Sequence, residues 1–204
     1  MKAKQSREMQ TLVNKKWILE KAGTLFWQKG YDGSSMREIA NACECRPANI
    51  YNYFKSKEEI LYEVIKDNTE QTVSSVEHLE NDETTDPVEQ LKSFVKSHFE
   101  ILARMKRSSV LISDTALKDL TDEHRKAIIQ LRDRYDSIMR QVIRRGIDSG
   151  QFAVKDERIV GYLISSGILR SSLWFSTRGR LSTDEVGDVM FDFYFSGINA
   201  KCKS

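Results

Sequence analysis

Hydrophobic residues recur along the chain at the spacing of amphipathic helices. Within residues 14–29 they fall at Ile18, Ala22, Leu25 and Phe26, which share one helical face. Gly30 follows, as is typical after a helix end. The same periodicity predicts helices over residues 36–42, about 47–55, from 57 to a loop at 77–86, then 87–106, 109–118, 121–149, 156–177 and 182–199. With only two prolines and ten glycines in 204 residues, we expect an all-α fold.

The first helices are short and carry clear start signals. Ser35 and Glu38 have the spacing of a capping box, and Ser56 and Glu59 repeat it. Pro47 suits the first turn of a helix, where its missing N–H is not needed. Because only about four residues separate the second and third helices, the pattern predicts a helix-turn-helix.

Charge is unevenly distributed along the chain. Residues 1–57 contain eight lysines and three arginines against five acidic residues, a net charge of +6, whereas the whole chain carries only +2. A basic end on a mildly acidic body favours contact with a polyanion.

Features of an enzyme or a metal site are missing from the sequence. His78, His98 and His124 are isolated and lack metal-ligand spacing, and no glycine-rich phosphate loop or nucleophile elbow occurs. We therefore expect no enzymatic activity, no metal and no cofactor.

The three cysteines have neither metal-site nor C-x-x-C spacing. Cys43, Cys45 and Cys202 are interpreted as small, buried apolar residues, with a redox switch through Cys43 and Cys45 as the alternative. No apolar run is long enough to span a bilayer, and the N-terminus has no apolar signal segment, so we expect a cytoplasmic protein.

The third helix has a face suited to a DNA major groove. Ile50 and Phe54 point inward together, while the far side is small and polar. Asparagine can pair with adenine and arginine with guanine, and tyrosine and lysine suit phosphate oxygens. The predicted DNA contacts are Ser35, Arg46, Ala48, Asn49, Tyr51, Asn52, Tyr53 and Lys57. The alternatives are a solvent-facing helix and an adaptor that uses this surface for protein contact.

The stretch LFWQKGYDGSSMREIANACECRPANIYNYFKSKEEIL resembles the DNA-binding domain of the tetracycline-repressor (TetR) family. The resemblance covers about residues 18–61. It implies a helix-turn-helix DNA-binding domain over residues 10–57 and an effector-binding and dimerisation domain over 58–204. The sequence departs from the family pattern at Glu44, where glycine is usual, and at the entry Arg46-Pro47-Ala48. A left-handed backbone angle is harder for glutamate than for glycine.

The resemblance further implies a homodimer that binds a palindromic operator, with repression as the family default. The last two helices would pair across the dimer, although they could equally be ordinary core helices. The predicted interface residues are Ile168, Phe175, Val186, Val189, Met190 and Phe193.

The resemblance also implies a small-molecule effector held between the helices of the second domain, which releases the DNA. The predicted ligand residues are Phe99, Leu102, Met139, Tyr162, Ser166, Arg170 and Trp174. Arg170 interrupts an apolar helix, either to pair with Asp114 or Asp136, or to bind an effector carboxylate or phosphate. The stretches VIRRGIDSGQF and LWFSTRGRLS are similar to regulators that sense acyl-CoA or related lipids.

Overall fold

The computed structural model describes residues 2–105 and 114–200, which are mostly helical and include no strand. This confirms the predicted all-α class. The α-helices of the described residues are α1 (Lys2–Lys29), α2 (Met36–Ala42), α3 (Pro47–Tyr51), α4 (Lys57–Val76), α5 (Pro87–Met105), α6 (Asp114–Leu117), α7 (Asp122–Asp148), α8 (Glu157–Arg170) and α9 (Thr183–Ile198). Short 3₁₀ helices, Glu77–Leu79 and Ser171–Leu173, follow α4 and α8. No described helix has the length and apolarity that crossing a membrane requires.

Most predicted helix ends agree with the structure. Gly30 and Gly150 close α1 and α7 with φ of 76° and 74°, the left-handed angle that glycine adopts freely. Ser182 and Glu185 form the predicted capping box at the start of α9. Part of the helix predicted over 109–118, and Cys202, lie outside the described residues.

Three helix ends differ from prediction. Helix α1 begins at Lys2 rather than residue 14, because its first turns lack the apolar spacing on which the prediction relied. Helix α3 ends at Tyr51 rather than near Lys55. Helix α8 ends at Arg170 and tightens into a 3₁₀ turn, whereas one helix was predicted through residue 177.

The chain divides into two compact units. The N-terminal unit contains the described residues of Met1–Asn68 and Val110–Ile128, and the C-terminal unit contains those of Thr69–Ser109 and Ile129–Ser204. The predicted domain boundary after residue 57 coincides with the start of α4, whereas the compact units divide within α4 and within α7.

The core of the N-terminal unit joins α1, α2, α3 and α4. The four predicted inward residues of α1 are all buried, and so are Ile50 and Phe54. Burying side chains of this size contributes about 1.5–3 kcal/mol each. Lys15 of α1 pairs with Glu63 of α4 at 3.2 Å and lies over the Phe54 ring, so α1 and α4 meet beside the residue that follows α3.

The C-terminal unit is built around α5. The residues that the periodicity places on its inner face are each at most 1% exposed, namely Leu91, Phe94, Val95, Phe99 and Leu102. On the side facing α9, Lys96 pairs with Asp184 at 2.6 Å and Asp188 at 2.9 Å. The Arg145 guanidinium of α7 donates to the carbonyls of Leu79 and Asp82, which fixes the loop before α5.

Candidate nucleic-acid interface

Helix α2 is fixed at its first turn by the predicted Ser35–Glu38 pair. The Ser35 hydroxyl accepts from the Glu38 N–H at 3.2 Å and donates to the Glu38 carboxylate at 3.0 Å. The same carboxylate accepts from Lys29 Nζ at 2.7 Å. These bonds, with Lys29 first, lower the pKa of Glu38. The start of α2 is thereby tied to the end of α1, with Ser35 itself exposed.

The turn between α2 and α3 is a Schellman motif. The Cys45 N–H donates to the Ala40 carbonyl at 3.0 Å, and the Glu44 N–H donates to the Asn41 carbonyl at 3.1 Å. Glu44 occupies the position that glycine usually takes, with φ of 54°. The left-handed angle suspected from the sequence is therefore present, and the turn keeps a standard hydrogen-bond pattern despite the glutamate.

Helix α3 presents its polar side to solvent. Ile50 and Phe54 are 0% and 1% exposed, which fixes the rotation of the helix about its axis. The opposite side is therefore exposed to solvent. Five of the predicted DNA contacts are exposed there, namely Arg46, Ala48, Asn49, Tyr51 and Asn52, whereas Tyr53 is half-buried. Paired amide donors and acceptors and a guanidinium on an open helical face are groups that read base edges in a major groove.

Lys57 is engaged within the chain. Its ammonium donates to the carbonyls of Tyr31 and Ser34, both at 2.8 Å, and lies 3.9 Å from the centre of the Tyr31 ring. Ser34 is itself held by a bond from its hydroxyl to the Gly30 carbonyl. Two of the three ammonium N–H groups are thus used, so Lys57 positions the α1–α2 loop against α4. Its phosphate contact stays a prediction.

The first turn of α4 is bonded on two sides. The Glu59 N–H donates to the Ser56 hydroxyl at 3.0 Å, and the Glu59 carboxylate accepts from the Lys55 N–H at 2.5 Å. Only half of the second predicted capping box is therefore present, because the Glu59 carboxylate accepts from the Lys55 N–H and not from the Ser56 N–H. Glu58 accepts from the Thr121 N–H at 2.9 Å and lies 2.8 Å from His124 Nδ1.

The thiol of Cys43 is a poor candidate for a redox switch. Burial, with a smaller effect from Cys45, raises the pKa of Cys43 to about 11. A reactive cysteine needs a lowered pKa because the thiolate is the nucleophile. Cys43 and Cys45 are both partly buried free thiols, in agreement with a packing role.

Both parts of the chain match known families. Residues 18–64 match the family described as bacterial regulatory proteins, tetR family. Residues 84–198, more than half of the chain, match the tetracyclin repressor-like C-terminal domain.

The chain belongs to the TetR family of transcriptional regulators.

Similar proteins include named repressors and metabolic regulators. The chain is 26% identical to the transcriptional repressor KstR2 of Mycolicibacterium smegmatis, over 89% of this chain and 88% of the repressor. It is 25% identical to the fatty acid metabolism regulator protein of Bacillus subtilis, over 98% and 100%. The crystal structure of AibR with isovaleryl coenzyme A and operator DNA is similar with a TM-score of 0.76 and 25% identity, over 89% of this chain and 98% of AibR.

In this TetR-family chain, the seven predicted ligand residues do not lie together. Phe99, Leu102 and Met139 are buried in the C-terminal unit. The other four are exposed on one side of α8 and the turn after it, namely Tyr162, Ser166, Arg170 and Trp174. As ligand contacts these four stay predictions, and the structure places them on the side of α8 and its following turn that faces away from the core. Asp136 does not pair with Arg170, which has no ion pair among the residues described.

The predicted dimer residues also fall into a buried group and an exposed group. Ile168, Val186 and Met190 are buried within the chain, and their part in an intersubunit surface stays a prediction. Phe175 is half-buried against Phe99, with ring centres 4.9 Å apart. Val189 and Phe193, by contrast, are 58% and 76% exposed.

The exposed side chains of α8 and α9 form an apolar surface that the sequence analysis only partly identified. We call it the α8–α9 apolar face. Its large members, each at least 50% exposed, are Ile159, Tyr162, Leu163, Leu173, Trp174, Val189 and Phe193. Of the three missed residues, Ile159 and Leu163 lie at helical spacing from Tyr162 and Ser166 on α8, so the correct rotation of that helix would have identified them, whereas Leu173 lies in the 3₁₀ turn after it.

Proposed function

We propose that the protein is a transcriptional repressor that binds a palindromic operator as a homodimer and is released by an acyl-CoA or similar lipid-like effector. The observation that carries DNA reading is the open polar side of α3, which Ile50 and Phe54 hold in a single orientation. Arg46, Asn49 and Asn52 are the proposed base-reading residues, with Tyr51, Tyr53, Lys57 and Ser35 toward phosphates.

The α8–α9 apolar face supports the homodimer. Seven large apolar side chains, each at least 50% exposed, lie on α8, the turn after it and α9, and large exposed apolar patches mark interaction sites. A two-fold dimer would place two copies of α3 about one helical turn of DNA apart, roughly 34–36 Å, and so select a palindrome.

The effector class is supported by the relatives. A fatty acid metabolism regulator matches over the whole length of the chain, and the similar AibR structure contains isovaleryl coenzyme A. The buried apolar residues Phe99, Leu102 and Met139 suit an acyl chain. The raised pKa of Cys43 disfavours the redox alternative.

Selection from a random pool of duplex DNA tests the proposal. We expect an enriched palindrome whose binding weakens steeply with salt, because bound phosphates release counterions. Asn49→Ala should cost about 1–3 kcal/mol on that palindrome and little on random duplex. Absence of an enriched sequence at moderate salt would favour the adaptor alternative. Equal losses on both DNAs would remove Asn49 from the base-reading set.

A further inference from the structure

Two charged side chains lie within the α8–α9 apolar face. Arg170 is the last residue of α8, Asp192 lies in the second half of α9, and both are exposed. Neither side chain has an ion pair or a hydrogen bond in the described part of the chain. An arginine and an aspartate of the same surface are thus both available to a partner.

Both charges are surrounded by exposed apolar residues. Arg170 follows Ile159 by eleven residues, about three full turns, so the two share one side of α8. On α9, Asp192 precedes Phe193 directly and follows Val189 by three residues, and these two are the large apolar members of the face on that helix. Each helix therefore places one charge on the surface that we expect to be covered.

The other acidic residues of α9 are already engaged. Asp184 and Asp188 both pair with Lys96 of α5, at 2.6 Å and 2.9 Å. Glu185 is bonded within the capping box that starts the helix. Among the described residues, Asp192 is thus the one acidic side chain of α9 without a partner.

Helices α8 and α9 run antiparallel. Just before α8, the Ala153 N–H donates to the Ile198 carbonyl at the end of α9, at 2.7 Å. Toward the other end of α8, a Cβ atom on Gly167 would collide with the hydroxyl of Tyr194. Moving forward along α8 therefore means moving backward along α9.

The contact between Gly167 and Tyr194 places the two charges at one level along the helices. Arg170 follows Gly167 by three residues, and Asp192 precedes Tyr194 by two. In antiparallel helices these steps go in the same direction. At about 1.5 Å per residue, Arg170 and Asp192 therefore differ in level by only about 2 Å.

We propose that Arg170 of each subunit pairs with Asp192 of the partner subunit, and that these two ion pairs fix the register of the dimer. The proposal rests on the homodimer of the proposed function and names the contacts that align it. With a two-fold axis along the helices, α8 of one copy lies opposite α9 of the other at the same level, and each contact occurs twice. Because the two charges share a level, the pair forms in both directions.

Burial in the dimer gives these pairs their selectivity. Removing an unpaired guanidinium or carboxylate from water is costly, whereas a guanidinium can donate two parallel bonds to one carboxylate. Sliding one face along the other would bury both charges without partners. A buried ion pair adds little affinity compared with apolar residues of the same size, so we expect the pairs to select the register and the partner.

Charge reversal on separate chains distinguishes an intersubunit pair from a pair within one chain. The full-length variants are Arg170→Asp, Asp192→Arg, the double variant with both changes, and Arg158→Asp as the matched control. Arg158 is an exposed arginine of the same helix, but it lies about 120° around the helix from Arg170. There its charge acts on Asp136 of α7. Sedimentation equilibrium gives the dimer dissociation constant of each variant.

Each single reversal places like charges at both contacts of its homodimer. We expect the dissociation constant of either variant to rise about 100-fold or more. Mixing the two single variants places opposite charges at both contacts, so the mixed dimer should form within about tenfold of the wild-type affinity. The double variant should dimerise equally well, and Arg158→Asp should match the wild type.

Native mass spectrometry identifies the mixed dimer, because the two single variants differ in mass. Its formation also shows that both variant chains are folded. A mixed dimer no tighter than the variant homodimers would overturn the inference, since mixing cannot restore a pair within one chain. Wild-type affinity in both single variants would overturn it as well.

In either of these cases the homodimer of the proposed function stands, because the wild-type mass reports it separately. A wild-type protein that is monomeric at all concentrations tested would remove the homodimer and this inference together. The selection from random DNA would still test operator binding by itself.

Discussion

At the scale of single residues, Glu44 occupies a backbone conformation that favours glycine. Its φ of 54° is unfavourable for a residue with a Cβ atom by about 1–2 kcal/mol. Glycine removes that cost, but its unfolded chain loses more conformational entropy on folding, which costs about 0.4–1 kcal/mol. We expect Glu44→Gly to raise the free energy of unfolding by about 0.5–1 kcal/mol.

Urea unfolding measures this change, with Glu44→Ala as the matched control. Alanine removes the carboxylate but keeps the Cβ, so it should not stabilise the protein. Equal stabilisation by alanine and glycine would assign the effect to charge instead of backbone geometry.

His98 predicts a dependence of stability on pH. Its pKa is about 3 in the folded protein and about 6.5 when unfolded. Between these values the unfolded chain binds the extra proton, so stability falls as the pH drops below about 6.5. From pH 6.5 to 5 the loss from this residue approaches about 2 kcal/mol, at 1.36 kcal/mol per pH unit.

Urea unfolding at pH 7, 6 and 5 tests this dependence. His98→Gln should have a lower stability at pH 7 and a flatter decline toward pH 5 than the wild type. A decline of unchanged steepness in the variant would show that other groups cause it.

At the scale of elements, the orientation of a helix can be predicted from sequence when its apolar and polar sides are sharply separated. Ile50 of α3 and Phe54, which follows the end of that helix, are both buried, and the exposed side of α3 follows directly. Helix α8 is apolar or small on every side, so periodicity did not determine which side faces the core. In the structure Ile168 is buried, whereas Tyr162, Ser166 and Arg170 are exposed.

Some features lay beyond the reach of sequence patterns. The first turns of α1 have no apolar stripe to reveal them, although the structure extends the helix to Lys2. The bond between His98 and Tyr135 joins two helices far apart in the chain, and no local spacing predicts such a pair.

Lys57 connects two elements of the N-terminal unit, and its removal should affect both stability and DNA binding. Bonds from an ammonium to two carbonyls hold the α1–α2 loop, and hydrogen bonds to charged groups contribute about 1.5–3 kcal/mol. We expect Lys57→Met, which keeps the apolar stem, to lower the free energy of unfolding by about 1–2 kcal/mol and to weaken binding to all DNA sequences.

Lys55→Met is the comparison, because Lys55 is an exposed lysine two residues away. Its loss should flatten the salt dependence of DNA binding while leaving unfolding unchanged. If Lys57→Met changes DNA affinity without any change in unfolding, the two carbonyl bonds do not stabilise the loop.

At the scale of the whole molecule, the α8–α9 apolar face argues for assembly. Phe193 is its most exposed large side chain, at 76%, and an aromatic ring of this kind is a common interface anchor. We expect Phe193→Glu to convert the proposed dimer to a monomer, because a buried, unpaired carboxylate would face the partner surface. Light scattering coupled to size-exclusion chromatography measures the mass directly.

Ile129→Glu separates this effect from a general response to added charge. Ile129 is also an exposed apolar residue, at 42%, but it lies on α7 outside the α8–α9 apolar face. The Ile129 variant should remain dimeric and bind the selected palindrome normally. The Phe193 variant should lose most of its affinity for the palindrome while its weak binding to a single half-site stays unchanged, because each copy of α3 is still intact. A Phe193→Glu protein that remains dimeric would place the dimer contact on another surface and leave the exposed α8–α9 apolar face to a different partner.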